Sequence, residues 1–519
     1  MDTKALRQKI LDLAIRGKLV PQDPNDEPAE VLLERIREQK QQMFKEGKLK
    51  KKDIKNDTII FKGEDNLHYE KFADGTVKCM EDEIPFEVPE GWAWCKLNDI
   101  YNFIDYRGAT PTKITNGIPL VTAKNVKSGY IDYTIDDYIS EEEFKERQQR
   151  GISKKGDILF TTEAPLGNAA LADMEKFSAG QRLITFQQYG SKNELINYVM
   201  LMFILSDFFQ QQLYVNKTGS TVAGIKAAIL KTLWIPVPPY NEQLRISNTL
   251  KSAINLIDSI SKNKEILSTS ISNTKSKILD LAIRGKIVPQ DPNDEPASVL
   301  LERIRAEKEE LIKQGKIKRD KKESVIFKGD DNSYYEKIGN KVNCIDEEIP
   351  FELSEGWAFI RLKTAWELIS GRDLSPSEYN DKNDGIPYIT GASNFRNGHI
   401  SLVRWTTVPQ VITRRGDLLL TCKGTIGEIA HNNFGEAHIA RQIMAIRNIY
   451  SLNVDFLALC IEYSMTKIKQ AANGLIPGIS REDILNLVIP IPPTKEQENI
   501  CNKLKTTFSA IEHIEKSLN

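Results

Sequence analysis

Residues 10–37, ILDLAIRGKLVPQDPNDEPAEVLLERIR, return as residues 278–305, 268 positions later, with only Leu19/Ile287 and Glu30/Ser298 changed. A near-identical block at a fixed offset decides the architecture before any local feature does. Two copies are too few for a solenoid. The repeat describes one chain with internal pseudo-two-fold symmetry, suited to reading a two-fold or bipartite object.

Beyond the block the copies diverge, but landmarks persist. EIPFEVPEGWAW (83–94) reappears as EIPFELSEGWAF (348–359), and Gly117-Ile118-Pro119 as Gly385-Ile386-Pro387. KGDIL (155–159) matches RGDLL (415–419), Pro165-Leu166-Gly167 matches Thr425-Ile426-Gly427, and Gln181-Arg182 is aligned with Ala440-Arg441. IPVPPYNEQ (235–243) closes the first copy and IPIPPTKEQ (489–497) the second, by which point the offset has shrunk to 254. Matching frames with dissimilar contents suit two recognition modules on a common chassis.

After each EQ, apolar residues recur at spacings of three and four: Ile246, Leu250, Ile254, Ile257 and Ile260, then Ile500, Leu504, Phe508, Ile511 and Ile514. That periodicity predicts long helices burying one stripe, as in a coiled coil. The first helix is expected to run from Glu242 to about Lys286, with polar stretches at 261–264 and 268–272 as places to bend or break. The second stops at Asn519, and its missing remainder, LDLAIRGK, stands at residues 11–18. The repeat is therefore cyclic, and the terminal helices are expected to meet and complete the second half of the frame. Gly17 and Gly285 are C-cap candidates, and Pro28 and Pro296 suit a new first turn. Val31, Leu32 and Ile36, with their copies, are read as the stripe of that next helix. Basic tracts (Lys48, Lys50, Lys51, Lys52; Lys316, Lys318, Arg319, Lys321, Lys322) lead into an expected hairpin in each copy. The central parts read as short strands with Gly/Pro/Asn turns and a few helices, so the fold class is α+β: two globular domains joined by long antiparallel helices.

Lys and Arg total 71 against 72 Asp and Glu, a net charge of -1, which argues against indiscriminate coating of nucleic acid but not against a local basic face. Apolar runs such as 198–205 are too short to cross a bilayer, and the charged start (Asp2, Lys4, Arg7, Lys9) carries no apolar signal segment. Six cysteines without CxxC spacing and five histidines indicate neither a zinc module nor a disulfide framework. A cytoplasmic location is expected.

The PEGW-type segment, the RGD(I/L)L and (L/I)G landmarks, GSTVAGI (219–225) and the IPVPPxxEQ stretch before a long helix together resemble the specificity subunit of type I restriction–modification systems, over essentially the whole chain. The resemblance implies a non-catalytic subunit with two target-recognition domains, each reading half of a bipartite double-stranded DNA site. It also implies that the helices set the spacing and dock two adenine-N6 methyltransferase subunits, with restriction subunits joining the complex. S-adenosylmethionine, ATP and Mg then belong to partner subunits and no cofactor to this chain. The division expected is 1–44 N-terminal helical region, 45–84 basic linker and hairpin, 85–240 first recognition domain and 241–312 helical spacer. The second copy follows with 313–349 linker and hairpin, 350–494 second recognition domain and 495–519 C-terminal helix. Ile246, Leu250, Ile254, Ile257, Ile260, Ile500, Leu504, Phe508, Ile511 and Ile514 are assigned to the spacer and partner interface.

VPPY (237–240) approaches the Asp/Asn/Ser-Pro-Pro-aromatic loop of amino-methyltransferases, in which the polar residue accepts from the target amino group and the aromatic stacks on the flipped base. Val237 cannot accept that bond, and Ile491-Pro492-Pro493-Thr494 lacks the aromatic as well. A strand ending before a helix is the plainer reading. No GxxxxGK[ST] phosphate loop occurs. Gly219, Ser220, Thr221 and Lys226, and the segment 474–478 with Ser480 and Arg481, are candidate DNA-contacting loops, since small residues bring backbone N–H groups close to phosphates; an ordinary turn is the alternative. Base-reading candidates are Tyr106, Arg107, Thr122, Lys124, Asn125 and Arg182 in the first domain, and Arg372, Ser393, Asn394, Arg396, Lys423 and Arg441 in the second, because Arg and Lys read guanine and Asn reads adenine. Each is weighed against a solvated or structural role. Arg182 and Arg441, read as matching positions, lean toward a phosphate contact or a structural role over base reading. A stand-alone bipartite-site regulator, a methyltransferase in its own right and a pure protein scaffold remain as alternatives.

Overall fold

The computed structural model describes residues 2–54, 57–107, 110–134, 137–190, 194–219, 223–317, 319, 323–396, 398–450, 452–471 and 478–518. The chain divides into two compact units, Met1–Lys264 and Glu265–Asn519, and the boundary falls inside one helix. Five helices make the frame: α1 (Thr3–Ile15), α2 (Ala29–Lys45), α3 (Tyr240–Ile283), α4 (Ala297–Lys313) and α5 (Thr494–Leu518). α3 is a single helix of 44 residues, about 66 Å at ~1.5 Å per residue. The polar stretches at 261–264 and 268–272 do not interrupt it; within them Thr269 returns its hydroxyl to Glu265 O one turn back (3.0 Å), as Ser259 and Thr274 do on either side.

In the first unit α1 runs antiparallel to the start of α3. Arg7 pairs with Asp258, Gln22 Nε2 donates to Glu242 Oε1 (3.1 Å), and Leu11, Ala14 and Ile15 share a core with Ile246 and Leu250. In the second unit the end of α3 does the same with α5: Lys275 pairs with Glu515 (2.7 Å), and Leu279, Ala282 and Ile283 pack with Ile500 and Leu504. Each unit thus begins and ends on its own helix pair.

The repeated motifs meet at one joint per unit. α1 ends in a Schellman turn, with Gly17 N–H donating to Ala14 O (3.1 Å) and Lys18 N–H to Leu13 O (2.8 Å). Gly17 lies at φ +66°, and a Cβ there would stand 2.3 Å from Pro89 and 3.1 Å from Trp92, so only glycine admits the PEGW segment. From that segment Gly91 O accepts from Ala29 N–H (2.8 Å), the otherwise unpaired first amide of α2, while Trp92 Nε1 donates to Glu242 Oε2 (2.9 Å). Gln243 Nε2 donates to Pro238 O (2.9 Å) and its Oε1 accepts from Ile196 N–H (2.8 Å), locking the Pro-Pro turn. The second unit repeats the set: Gly285 against Trp357 and Ser354, Ala297 N–H to Gly356 O (2.8 Å), Trp357 Nε1 to Glu496 Oε2 (2.9 Å), and Gln497 Nε2 to Pro492 O (2.9 Å). Burial raises the carboxyl pKa of both Glu242 and Glu496, against the opposing effect of the indole N–H.

Between the joints each unit carries an antiparallel sheet of the same order: 101–105, 183–188, 158–161, 169–171 in the first, and 366–370, 443–448, 418–421, 429–431 in the second. Below it a two-stranded ribbon pairs Trp234–Val237 with Ala93–Lys96, and Val488–Ile491 with Ala358–Arg361. The expected hairpins are three-stranded meanders, 59–79 and 324–344, because Val77–Cys79 and Lys341–Cys344 add a third strand. Lys318, Lys321 and Lys322 lie outside the described residues. Leu32 and Ile36 are buried as the stripe on α2 predicted, but Val31 and its copy Val299 are 44% and 39% exposed and face outward.

Replacing Trp92 with Phe keeps an aromatic side chain but takes the donor from the buried Glu242 Oε2, leaving only Gln22 on Oε1. The first unit should lose about 1–3 kcal/mol in denaturant unfolding, while Trp357→Phe should act on the second unit by the same mechanism.

Candidate nucleic-acid interface

At one end of the first unit's sheet, three chain segments leave adjacent strands and meet a fourth. Arg107 follows strand 101–105, Thr162 and Glu163 follow 158–161, Gln181 and Arg182 precede 183–188, and Thr218, Gly224, Ile225 and Lys226 close the far side. They line a cleft of about 390 Å³. Backbone bonds set it: Thr162 N–H to Arg182 O (3.1 Å) and Ile225 N–H to Thr162 O (3.0 Å). Arg107 makes a forked pair with Asp105 (2.6–3.0 Å) and reaches Ile225 O (3.4 Å). Burial alone would raise the Asp105 carboxyl, but Arg107 holds it below its ordinary value. Arg182 pairs with Glu163 (3.1 Å) and is half exposed, and Lys226 is exposed. Three residues singled out from sequence therefore converge here, and two of them already hold carboxylates.

The second unit builds the corresponding edge. Ile479 N–H donates to Cys422 O (2.9 Å), as Ile225 does to Thr162 O, so Lys423, Ser480 and Arg481 become neighbours. Arg481 Nη1 donates to Ser370 Oγ (3.2 Å) at the end of strand 366–370, two residues before Arg372. Arg441 Nε pairs with Asp373 (2.7 Å). Among the described residues Arg372, Lys423 and Arg481 carry no ion pair, and all three are exposed. The Arg372 loop is pinned from beneath by His438, which is fully buried. Its Nε2 meets Arg372 O at 2.7 Å and its Nδ1 accepts from Val411 N–H at 3.1 Å. Burial lowers the pKa of this imidazole, which favours the neutral ring that the pattern of one donor and one acceptor requires.

Other candidates sit elsewhere. Tyr106 is only 3% exposed; its hydroxyl donates to Gly151 O and its ring lies 4.9 Å under Arg147, so it is a core residue and presents no edge to a groove. Asn125 and Asn394 are also buried. Asn125 Oδ1 accepts from Thr122 N–H and Oγ1 (2.9 and 2.8 Å) and its Nδ2 donates to Asp132 O. Asn394 does the same with Thr390 and with Ser401 O. Both asparagines staple a turn and cannot read adenine, and Thr122 is committed to that staple. Lys124, Ser393 and Arg396 are exposed on or beside these turns. Ser480 caps the short helix Arg481–Leu485 by accepting from Asp483 N–H. Gly219 has φ +90°, whereas Ser220, Thr221 and residues 474–477 lie outside the described residues.

The pairing of Arg182 with Arg441 is corrected by strand register. Leu183 faces Thr161 and Ile443 faces Thr421, so Arg182 corresponds to Gln442 and Arg441 to Gln181. The two edges therefore share backbone geometry but not side chains. In VPPY, Val237 ends a strand and Tyr240 opens α3. The helical seam is mostly interior: Ile246, Leu250, Ile254, Ile257, Ile500 and Leu504 are buried and Ile260, Phe508 and Ile511 half-buried, leaving only Ile514 exposed to meet a partner. Glu242, Gln243, Glu496 and Gln497 were legible only as landmarks; their double occurrence before a helix was the available signal of the joint they form.

The sequence pattern of the type I restriction modification DNA specificity domain matches residues 89–268 and 354–519. The chain is 27% identical to the EcoAI specificity subunit of Escherichia coli, over 97% of this chain and 90% of that one. It is 26% identical to the EcoEI specificity subunit of the same organism, over 99% and 90%. A Methanocaldococcus jannaschii protein named putative type I restriction enzyme MjaX specificity subunit is 25% identical over 82% and 89%. A solved structure from work on complex assembly and conformational transition of the type I R-M system shares the fold, with a TM-score of 0.55 at 19% identity over 84% of this chain and 94% of that one. The family pattern covers more than half of the chain, once in each unit, and the chain belongs to the type I restriction–modification DNA specificity family.

Proposed function

We propose that this chain is the non-catalytic DNA-recognition subunit of a type I restriction–modification complex, reading a bipartite site and placing partner adenine-N6 methyltransferase and restriction subunits on it. The observation that carries this reading is the doubled edge: the same strand-end backbone geometry, at the same end of the same sheet, carries different side chains in each unit. A shared backbone edge explains a shared ligand type, and different side chains on it explain two different half-sites. In the first unit Arg107, Arg182 and Lys226 face the DNA; in the second Arg372, Lys423, Arg441 and Arg481 do. Lys124, Ser393 and Arg396 are the base-reading candidates left exposed. S-adenosylmethionine, ATP and Mg are assigned to the partner subunits. Among the described residues no helix is long and apolar enough to cross a membrane, and a cytoplasmic location fits a protein that works on genomic DNA.

The test is a map of N6-methyladenine in cells that express this chain with its methylase, against cells lacking the chain. A split motif that disappears without the chain is expected; adenine methylation unchanged, with the methylase active, contradicts the reading. Within the complex, Lys423→Ala should flatten the dependence of log affinity on log salt by about 1 unit if it removes one phosphate contact, while leaving the preferred sequence unchanged. A change of sequence preference would instead make Lys423 a base reader.

A further inference from the structure

The two asparagine staples clamp a small ribbon in each unit, and the clamp is the same in both. Asp132 N–H donates to Asn125 O (2.7 Å) and Asn125 Nδ2 to Asp132 O (2.8 Å), across a separation of 7 residues. Ser401 N–H and Asn394 Nδ2 repeat these bonds at 2.7 and 2.8 Å, across the same separation. Inside the clamp the chain doubles back on itself. Val126 stands opposite Ile131, and Lys127 N–H donates to Tyr130 O (2.9 Å); in the second unit Phe395 stands opposite Ile400 and Arg396 opposite His399.

Alternation along an extended strand sends these two pairs to opposite faces. The inner pair is core: Val126 is fully buried, Ile131 packs on the same cluster, and Phe395 and Ile400 pack on the matching cluster of the second unit. The outer pair is a cation beside a ring. Tyr130 is 61% exposed and Lys127 half-buried, with Asp132 at 3.8 Å, while Arg396 and His399 are both exposed. Among the described residues neither the Tyr130 hydroxyl nor the His399 ring has a hydrogen-bond partner.

The ribbon also stands at the end of the sheet where the candidate interface lies. Gly129 N–H donates to Ala169 O (2.8 Å) and Asn168 Nδ2 to Val126 O (3.0 Å). Ala169 begins the strand that pairs with 158–161 just before Thr162 enters the cleft. In the second unit His399–Ile400 lies against the corresponding strand, 429–431.

We infer that each ribbon enters a groove of the DNA beside the strand-end cations, with Tyr130 in the first unit and His399 in the second as specificity-determining residues. A major groove about 12 Å wide admits a two-stranded ribbon. The clamp, the buried inner pair and a cation are kept, and the ring changes from phenol to imidazole. That exchange alters the pattern of donors and acceptors and leaves their placement alone, which is what two different base pairs require. The inference rests on the functional reading above and deepens it by adding one reading position to each half-site.

The experiment reads the N6-methyladenine motif in cells expressing the full-length chain with its methylase, as wild type, Tyr130→Ala and His399→Ala. Both substitutions remove exposed side chains and spare the inner pair, and an unchanged Tm verifies folding. Tyr130→Ala should relax one base pair of one half-site, lowering discrimination there about tenfold or more, and leave the other half-site intact. His399→Ala should do the same to the other half-site. Affinity of the purified complex for matched and mismatched duplexes separates reading from anchoring. A uniform loss of affinity with an intact motif, or no change in either quantity, overturns the inference. A wild-type chain that directs no split motif contradicts the functional reading instead.

Discussion

An indole N–H donating to a buried glutamate holds each recognition module to its frame, Trp92 to Glu242 in one unit and Trp357 to Glu496 in the other. Around that bond one short segment meets three helix ends. It packs on the glycine that closes the incoming helix, supplies a carbonyl to the first amide of the next, and caps the outgoing one through its tryptophan. A buried carboxylate without its partner is costly, so the arrangement fixes the angle at which a module leaves the frame. Because both units use the same residues at the joint, module contents can differ without disturbing the helices.

That separation is how the structure turns sequence into specificity. The sheet order and the strand register at the cleft are the same in both units, and only the side chains at the strand ends change. In the first unit two arginines are held by Asp105 and Glu163, which fixes their direction and weakens their net field. In the second unit one arginine is so held, by Asp373, and three cations carry no ion pair among the described residues. Fixed arginine forks favour base edges with defined geometry, and free exposed cations favour the backbone. Under the proposed function, the two half-sites are engaged with a different balance of reading and anchoring.

The architecture was legible because the repeat is written in side chains that fold identically twice: the LDLAIRGK helix end, the PEGW segment and the PPxxEQ turn. The long helix followed from apolar spacing, and it runs unbroken through a polar middle that looked breakable. The site was legible in part. Arg107, Arg182, Lys226, Arg372, Lys423, Arg441 and Arg481 meet at equivalent edges, but Tyr106, Asn125 and Asn394 are buried structural residues. Polar identity alone does not separate an asparagine that staples a turn from one that reads a base, since both sit in loops with similar neighbours. The Arg182/Arg441 mismatch came from matching the two arginines by identity: the offset of 260 that holds at KGDIL/RGDLL pairs Gln181 with Arg441 and Arg182 with Gln442, and strand pairing agrees. Val31 looked like core by spacing and is surface by structure.

Independence of the two modules on a shared frame is tested most directly by exchange. Residues 350–494 are replaced by the corresponding segment of a relative with a different site, leaving Glu496 to receive the incoming tryptophan, and the methylated motif is read from genomic DNA. One half-site should change while the other half and the spacing between them stay as they were. A change in both halves together would contradict the separation of module from frame.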